Sequence, residues 1–195
     1  MDSDSSNESP KLLKTLAFNV KYSEGNNLLH QFVLENSNPN DSGGGNYINA
    51  VLRSMSDASV NALNDEGYSA LHLAVLKNNL LMVKKLLSCL ENIDVNARSE
   101  TGTSENTALH LAAKLGHIPI IQELLNKGAD LDIKNEYDET ALCLAATSGN
   151  LKMMKLLVGK GANVNRIGIC GGPLYFAAKS NNFEAVKFLI NSGAD

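Results

Sequence analysis

The sequence predicts an all-α solenoid, and three observations carry that reading. A four-residue segment returns as Ser69-Ala70-Leu71-His72, Thr107-Ala108-Leu109-His110, Thr140-Ala141-Leu142-Cys143 and Gly172-Pro173-Leu174-Tyr175, after a fainter copy, Asn27-Leu28-Leu29-His30. The leucines of successive copies are 42, 38, 33 and 32 residues apart. The chain is 44% hydrophobic but only 5% aromatic, without Trp, so Ala and Leu must fill a core of thin, closely packed helices. A unit of about 33 residues cannot bury its own apolar face and must stack on copies of itself. Such an array works through a surface rather than a pocket.

Residues 1–25 read as an N-terminal disordered segment and arm: MDSDSSNESP is polar and acidic, and Leu12, Leu13, Leu16 and Val20 make a weak apolar stripe suited to covering an open end of the array. Residues 26–63 form a degenerate first unit. Leu28, Leu29, Phe32 and Val33 recur at helical spacing, as do Tyr47, Ile48, Val51, Leu52 and Met55. Between them NSNPNDSGGG, Asn36 to Gly45, is a long inserted loop.

From residue 64 the units fall at 64–97, 98–134, 135–166 and 167–195. Each has a short first helix and then a Gly/Asn turn: Asn78-Asn79, Gly116-His117, Gly149-Asn150 or Asn181-Asn182. A second helix follows, carrying pairs such as Leu86-Leu87, Leu124-Leu125, Leu156-Leu157 and Leu189-Ile190. Gly128, Gly161 and Gly193 stand just past second-helix ends, where a left-handed residue is needed. Pro119 fits a first helical turn, where its missing N–H costs little.

Gly67-Tyr68-Ser69-Ala70-Leu71-His72-Leu73-Ala74, Thr107 to Ala113 with Gly116-His117, and Gly161-Ala162-Asn163-Val164-Asn165 together resemble ankyrin repeats. The resemblance is strong over 64–195 and reaches back weakly to about residue 26. It implies an ankyrin-repeat α-solenoid in which each unit adds an outstretched, β-like finger loop to its two antiparallel helices. Departures are specific. Asn96 to Thr107 is eleven steps, against eight from Asn61 to Ser69 and from Asp132 to Thr140, so the second finger is extended. Gly168-Ile169-Cys170-Gly171-Gly172 replaces the usual finger and lacks the Thr that would cap the next helix, which predicts a loose or reshaped finger. Val186, Leu189 and Ile190 read as ordinary interior positions, which predicts an array that continues or is truncated after Asp195.

The chemistry-bearing residues read as structural. The resemblance implies that His72 and His110 bond neighbouring backbone. Cys143 and Tyr175 hold the same place in later units, which no shared catalytic role allows. No Cys-x-x-Cys or His-x-x-x-His spacing suits zinc, and Cys143 and Cys170 lack an activating partner within their own units. The glycine-rich segment lacks the Gly-Lys-Ser/Thr ending of a phosphate cradle. No catalytic residue, metal or cofactor is therefore assigned. Asn96 and Asn165 resemble sites that asparaginyl hydroxylases modify in other ankyrin proteins.

Net charge is −4 without a basic patch, which argues against nucleic acid and anionic membrane as partners, and no apolar run is long enough to span a bilayer. Three unclustered cysteines and a polar, acidic N-terminus predict a cytoplasmic or nuclear setting. What remains is capture of another protein by a monomeric, non-catalytic module. The resemblance places the contact on finger tips and first-helix ends, lined up on one concave face: Asp65, Glu66, Tyr68, Leu76 and Lys77; Ser104, Asn106, Lys114 and Leu115; Glu136, Tyr137, Glu139, Thr147 and Ser148; Ile169, Lys179 and Ser180. Tyr68 and Tyr137 are the expected anchors. A rival reading makes the segment the recruiting arm of a larger enzyme or host-directed bacterial effector, acting in the host cytosol, with its catalytic domain beyond residue 195. A third makes it a spacer or self-associating array.

Overall fold

Ser69, Thr107 and Thr140 each sit in extended backbone and turn their hydroxyl oxygen onto the backbone N–H three residues ahead, at 3.4 Å in all three cases. This satisfies one of the donors that every helix start leaves open, and it fixes where each first helix begins. The computed structural model describes residues 28–35, 52, 60–100 and 104–195. Among these the helices are α1 (Leu28–Glu35), α2 (Ala70–Leu76), α3 (Leu80–Cys89), α4 (Ala108–Leu115), α5 (Ile118–Asn126), α6 (Ala141–Thr147), α7 (Leu151–Gly159), α8 (Pro173–Lys179) and α9 (Phe183–Asn191). The inserted loop, most of the second stripe and the N-terminal arm lie outside the described residues.

The chain divides into two compact units, Met1–Asp94 and Val95–Asp195. In the first, α2 packs on α1 and on α3, burying Leu29, Phe32 and Val33 with Leu71, Val75, Met82, Val83 and Leu86. In the second, α4, α6 and α8 pack in file, and each lies against its own second helix, α5, α7 or α9. Ala112, Ala113, Ala145, Ala146 and Ala177 are fully enclosed in that file. Their small side chains let neighbouring first helices approach closely, while Leu109, Ile120, Ile121, Leu124, Leu142, Met153, Met154 and Leu157 fill the space towards the second helices.

The turn between paired helices is left-handed in all four cases, at Asn78, Gly116, Gly149 and Asn181. At Gly149 space is tight as well: a Cβ there would lie 2.7 Å from the Asn182 side chain. That asparagine amide donates to the carbonyls of Ala146 (3.2 Å) and Thr147 (2.9 Å), tying the last helix pair to the end of α6. Asn79 and Asn150 instead cap their own second helices, accepting from Met82 and Met153.

Of the last helix's apolar residues, Val186 is half-buried, Leu189 is buried and Ile190 is exposed.

Candidate protein-docking surface

The fingers are held from below. In the first, Asn64 N–H donates to the Tyr68 carbonyl and Asn64 Oδ1 accepts from Tyr68 N–H, closing a tight loop over Asp65 to Gly67. Asn135 closes the third on Glu139 by the same pair of bonds (2.9 and 3.0 Å). Ser99 does so for the second on Asn106, next to an antiparallel bridge between Arg98 and Thr107. The fourth is a different object: Gly168 and Gly171 exchange both backbone hydrogen bonds (3.0 and 3.1 Å), so Ile169 and Cys170 form the tip of a very short hairpin. It is reshaped, as the missing Thr predicts, and it is clamped to the third finger. Asp138 Oδ2 accepts from Ile169 N–H, and Lys134 Nζ donates to the Ile167 carbonyl (2.9 Å) while pairing with Asp138 Oδ1 at 3.0 Å. The Lys134 ammonium holds the Asp138 carboxyl below its ordinary range.

His110 joins one repeat to the next. His110 Nδ1 accepts from Thr107 N–H (3.2 Å) and from the Thr107 hydroxyl (2.8 Å). Its Nε2–H then donates to the Glu139 carbonyl at 3.0 Å, in the following finger. That arrangement needs a neutral ring, and burial lowers its pKa to about 4. His72 makes the same bonds to Ser69. In the degenerate unit His30 is likewise buried, and burial lowers its pKa. Cys143 takes the ring's place in the third unit, accepting from the Thr140 hydroxyl at 3.4 Å, and burial pushes its thiol up. Asn96 and Asn165 clamp loops one repeat further on, accepting from Asp130 N–H and Asp195 N–H. Among the described residues no three His, Cys, Asp or Glu side chains are grouped to hold a metal ion, and no helix is long and apolar enough to cross a membrane.

Against that frame of backbone bonds the expected docking residues separate. In the first unit Asp65, Glu66 and Lys77 are exposed, whereas Tyr68 and Leu76 are half-buried, Tyr68 with its ring tilted towards His72 at 6.3 Å. In the second, Lys114, Leu115, Glu136, Tyr137, Thr147, Ser148, Ile169 and Lys179 are exposed, and Ser104, Glu139 and Ser180 are partly covered. Asn106 is a correction: it is only 6% exposed, and its Oδ1 accepts from the Asn135 amide at 3.1 Å, so it joins fingers rather than facing a partner. Tyr137 (53% exposed) and Ile169 (92% exposed) stand on adjacent clamped fingers. Ile167 and Tyr175 are also exposed and were not anticipated; an apolar residue where the preceding repeat has Lys134, and an aromatic where it has Cys143, were the available signals.

A profile of ankyrin repeats in three copies matches residues 90–168 and 135–195, and one of ankyrin repeats in many copies matches 55–104. The chain belongs to the ankyrin-repeat family. Ankyrin repeats are protein–protein interaction modules and are generally non-catalytic. Among curated relatives, the chain is 40% identical over 77 residues to an ankyrin repeat protein of Acanthamoeba polyphaga mimivirus, a match covering 40% of this chain and 9% of that one. It is 39% identical over 77 residues to the poly(ADP-ribose) polymerase tankyrase of Caenorhabditis elegans (40% of this chain, 3% of the relative). It is 38% identical over 78 residues to protein phosphatase 1 regulatory subunit 27 of Mus musculus (40% of this chain, 47% of the relative). In each case the match spans less than half of the relative's own length.

Proposed function

We propose that this ankyrin array captures a partner protein on its finger tips and first-helix ends, acting as a monomer with repeats at 64–97, 98–134, 135–166 and 167–195. Lys114, Leu115, Glu136, Tyr137, Thr147, Ser148, Ile169 and Lys179 carry the contact in the second unit, with Asp65, Glu66, Lys77 and the open parts of Tyr68 and Leu76 in the first. One observation carries the reading: Tyr137 and Ile169 are exposed large side chains on fingers whose backbone is already fixed by hydrogen bonds. A side chain on a prefixed loop docks with little loss of ordering entropy. Free thiols at Cys89, Cys143 and Cys170 support a reducing compartment such as the cytosol or nucleus.

The test compares the native chain with a Tyr137→Ala, Leu115→Ala double variant. Partner capture from the native cell extract should vanish, while unfolding free energy moves by no more than about 0.5 kcal/mol per exposed site. Unchanged capture would reject the surface. A second reading, that the segment recruits substrates for a larger enzyme, is supported by the match to tankyrase, of which it spans 3%. The reading frame on either side of the segment tests it.

A further inference from the structure

The net charge of −4 conceals a division of charge within the second unit. Its second-helix segments, 118–127, 151–160 and 183–192, carry five lysines against two carboxylates. Its finger segments, 98–107, 134–140 and 166–172, carry five carboxylates against three cations. The helical excess centres on α7, where Lys152, Lys155 and the C-cap Lys160 follow one another with no carboxylate among them.

The geometry of α7 makes these charges a face. Lys152, Lys155 and Gly159 recur at i, i+3 and i+7 and are exposed, whereas Met153, Met154 and Leu157 on the other side are buried. α7 belongs to the middle pair of the unit, whose first helix, α6, packs between α4 and α8, so this outer face takes no part in stacking. α9 packs beside α7 and carries the exposed Lys187 at the place equivalent to Lys155. The exposed Lys127, which ends α5, is the equivalent of Lys160. None of these five lysines forms an ion pair among the described residues. Two cations of the fingers differ: Arg98 pairs with Glu105, and Lys134 with Asp138.

Part of this arrangement works against the helix that carries it. Lys160 and Lys127 stand at helix C-termini, where the dipole favours a cation. Lys152 lies in the first turn of α7, where the dipole disfavours one, and that turn holds no carboxylate. The equivalent place holds Pro119 in α5 and Glu184 in α9, so the array admits neutral or favourable residues there. Lys155, three residues on, adds a like charge to the same side. An anion arriving from outside relieves both unfavourable terms.

We propose that the outer face of α7, with Lys187 beside it, docks a short acidic stretch of a partner protein, centred on Lys152 and Lys155. Lysines are point charges without the fork by which arginine grips phosphate, and the chain's negative balance, concentrated in the fingers, repels a long polyanion or an anionic bilayer. The proposal rests on the proposed function only in making the occupant a protein. The exposed residues of α7 are Lys152, Lys155 and Gly159, so charge rather than apolar burial holds the contact, which makes it fast to form and sensitive to salt.

The probe is a rhodamine-labelled peptide of alternating Glu and Gly, compared with its Lys/Gly counterpart by fluorescence anisotropy on the full 195-residue chain. The acidic peptide should bind about tenfold or more tightly, and lose most of that advantage at about 0.5 M salt. Lys152→Glu should weaken it about fivefold. The same change puts a carboxylate in the first turn of α7, so the urea midpoint should not fall, and lost binding cannot be lost folding. Arg166→Glu, an equal change of charge at an exposed finger position, should alter the affinity less than about twofold. Equal affinity for the two peptides, or an equal loss in Arg166→Glu, would assign binding to overall charge and overturn the proposal. Sedimentation with phosphatidylserine vesicles that Lys152→Glu abolishes would overturn it too, since the face would then serve a membrane. Peptide binding is read without the cellular partner, so it can fail while finger-tip capture holds, and the reverse.

Discussion

At the scale of single residues, the sharpest consequence concerns His110. Its ring is held neutral by two acceptor contacts at Nδ1 and one donor contact at Nε2, and its pKa falls to about 4 against 6.5 for the free side chain. Because the folded value is the lower one, the unfolded chain takes up the proton first as pH falls. Stability is therefore complete above about pH 6.5 and is lost progressively down to about pH 4. Between pH 7.5 and 5 this should amount to about 2 kcal/mol. His110→Cys is the natural control, since Cys143 fills the same place in the next repeat and leaves the Thr cap intact. Urea unfolding at the two pH values should show the variant less stable at pH 7.5 but with a flatter pH dependence; an equally steep variant would assign the effect elsewhere.

At the scale of elements, the fourth finger is a hairpin seated on its neighbour rather than a loose loop. A Cβ at Gly168 would lie 2.2 Å from the Asp138 carbonyl oxygen, which is backbone and cannot step aside without moving the third finger. Gly168→Ala should therefore unseat the hairpin at a cost of about 1–3 kcal/mol, read as a lowered urea midpoint. Asp138→Asn keeps the acceptor for Ile169 N–H but loses the ion pair with Lys134; as the pair is solvent-accessible, that variant should lower the urea midpoint less than Gly168→Ala does. The same elements show what the sequence could and could not disclose. Helix starts and left-handed turns were legible because they depend on residues within four positions of one another. The burial of Asn106 was not, because it depends on Asn135, 29 residues away. Nor was the clamp on the fourth finger, where Asp138 reaches a backbone N–H 31 residues on. Ile190 carried the apolar character of an interior position, but its exposure depends on what lies beside it, which its own periodicity does not encode.

At the scale of the whole molecule, stability in a stacked array is close to a sum of repeat terms and nearest-neighbour interface terms. Leu109 and Leu142 are both buried, the first between α4 and α5 with their neighbours, the second in the middle of the α4–α6–α8 file. Each Leu→Ala change should cost about 2–5 kcal/mol and weaken partner capture only through unfolding. The same logic makes the second unit separable. It holds three helix pairs, its own buried core and its own loop-to-loop bonds from Asn96 to Asp130 and from Asn165 to Gly193 and Asp195. About three repeats are enough to bury a continuous core in such arrays. The fragment Val95–Asp195 should therefore fold alone, with a helical circular dichroism spectrum and a single cooperative thermal transition. A fragment that shows no transition would mean that the second unit draws its stability from residues before Val95, and the additive picture would fail at that boundary.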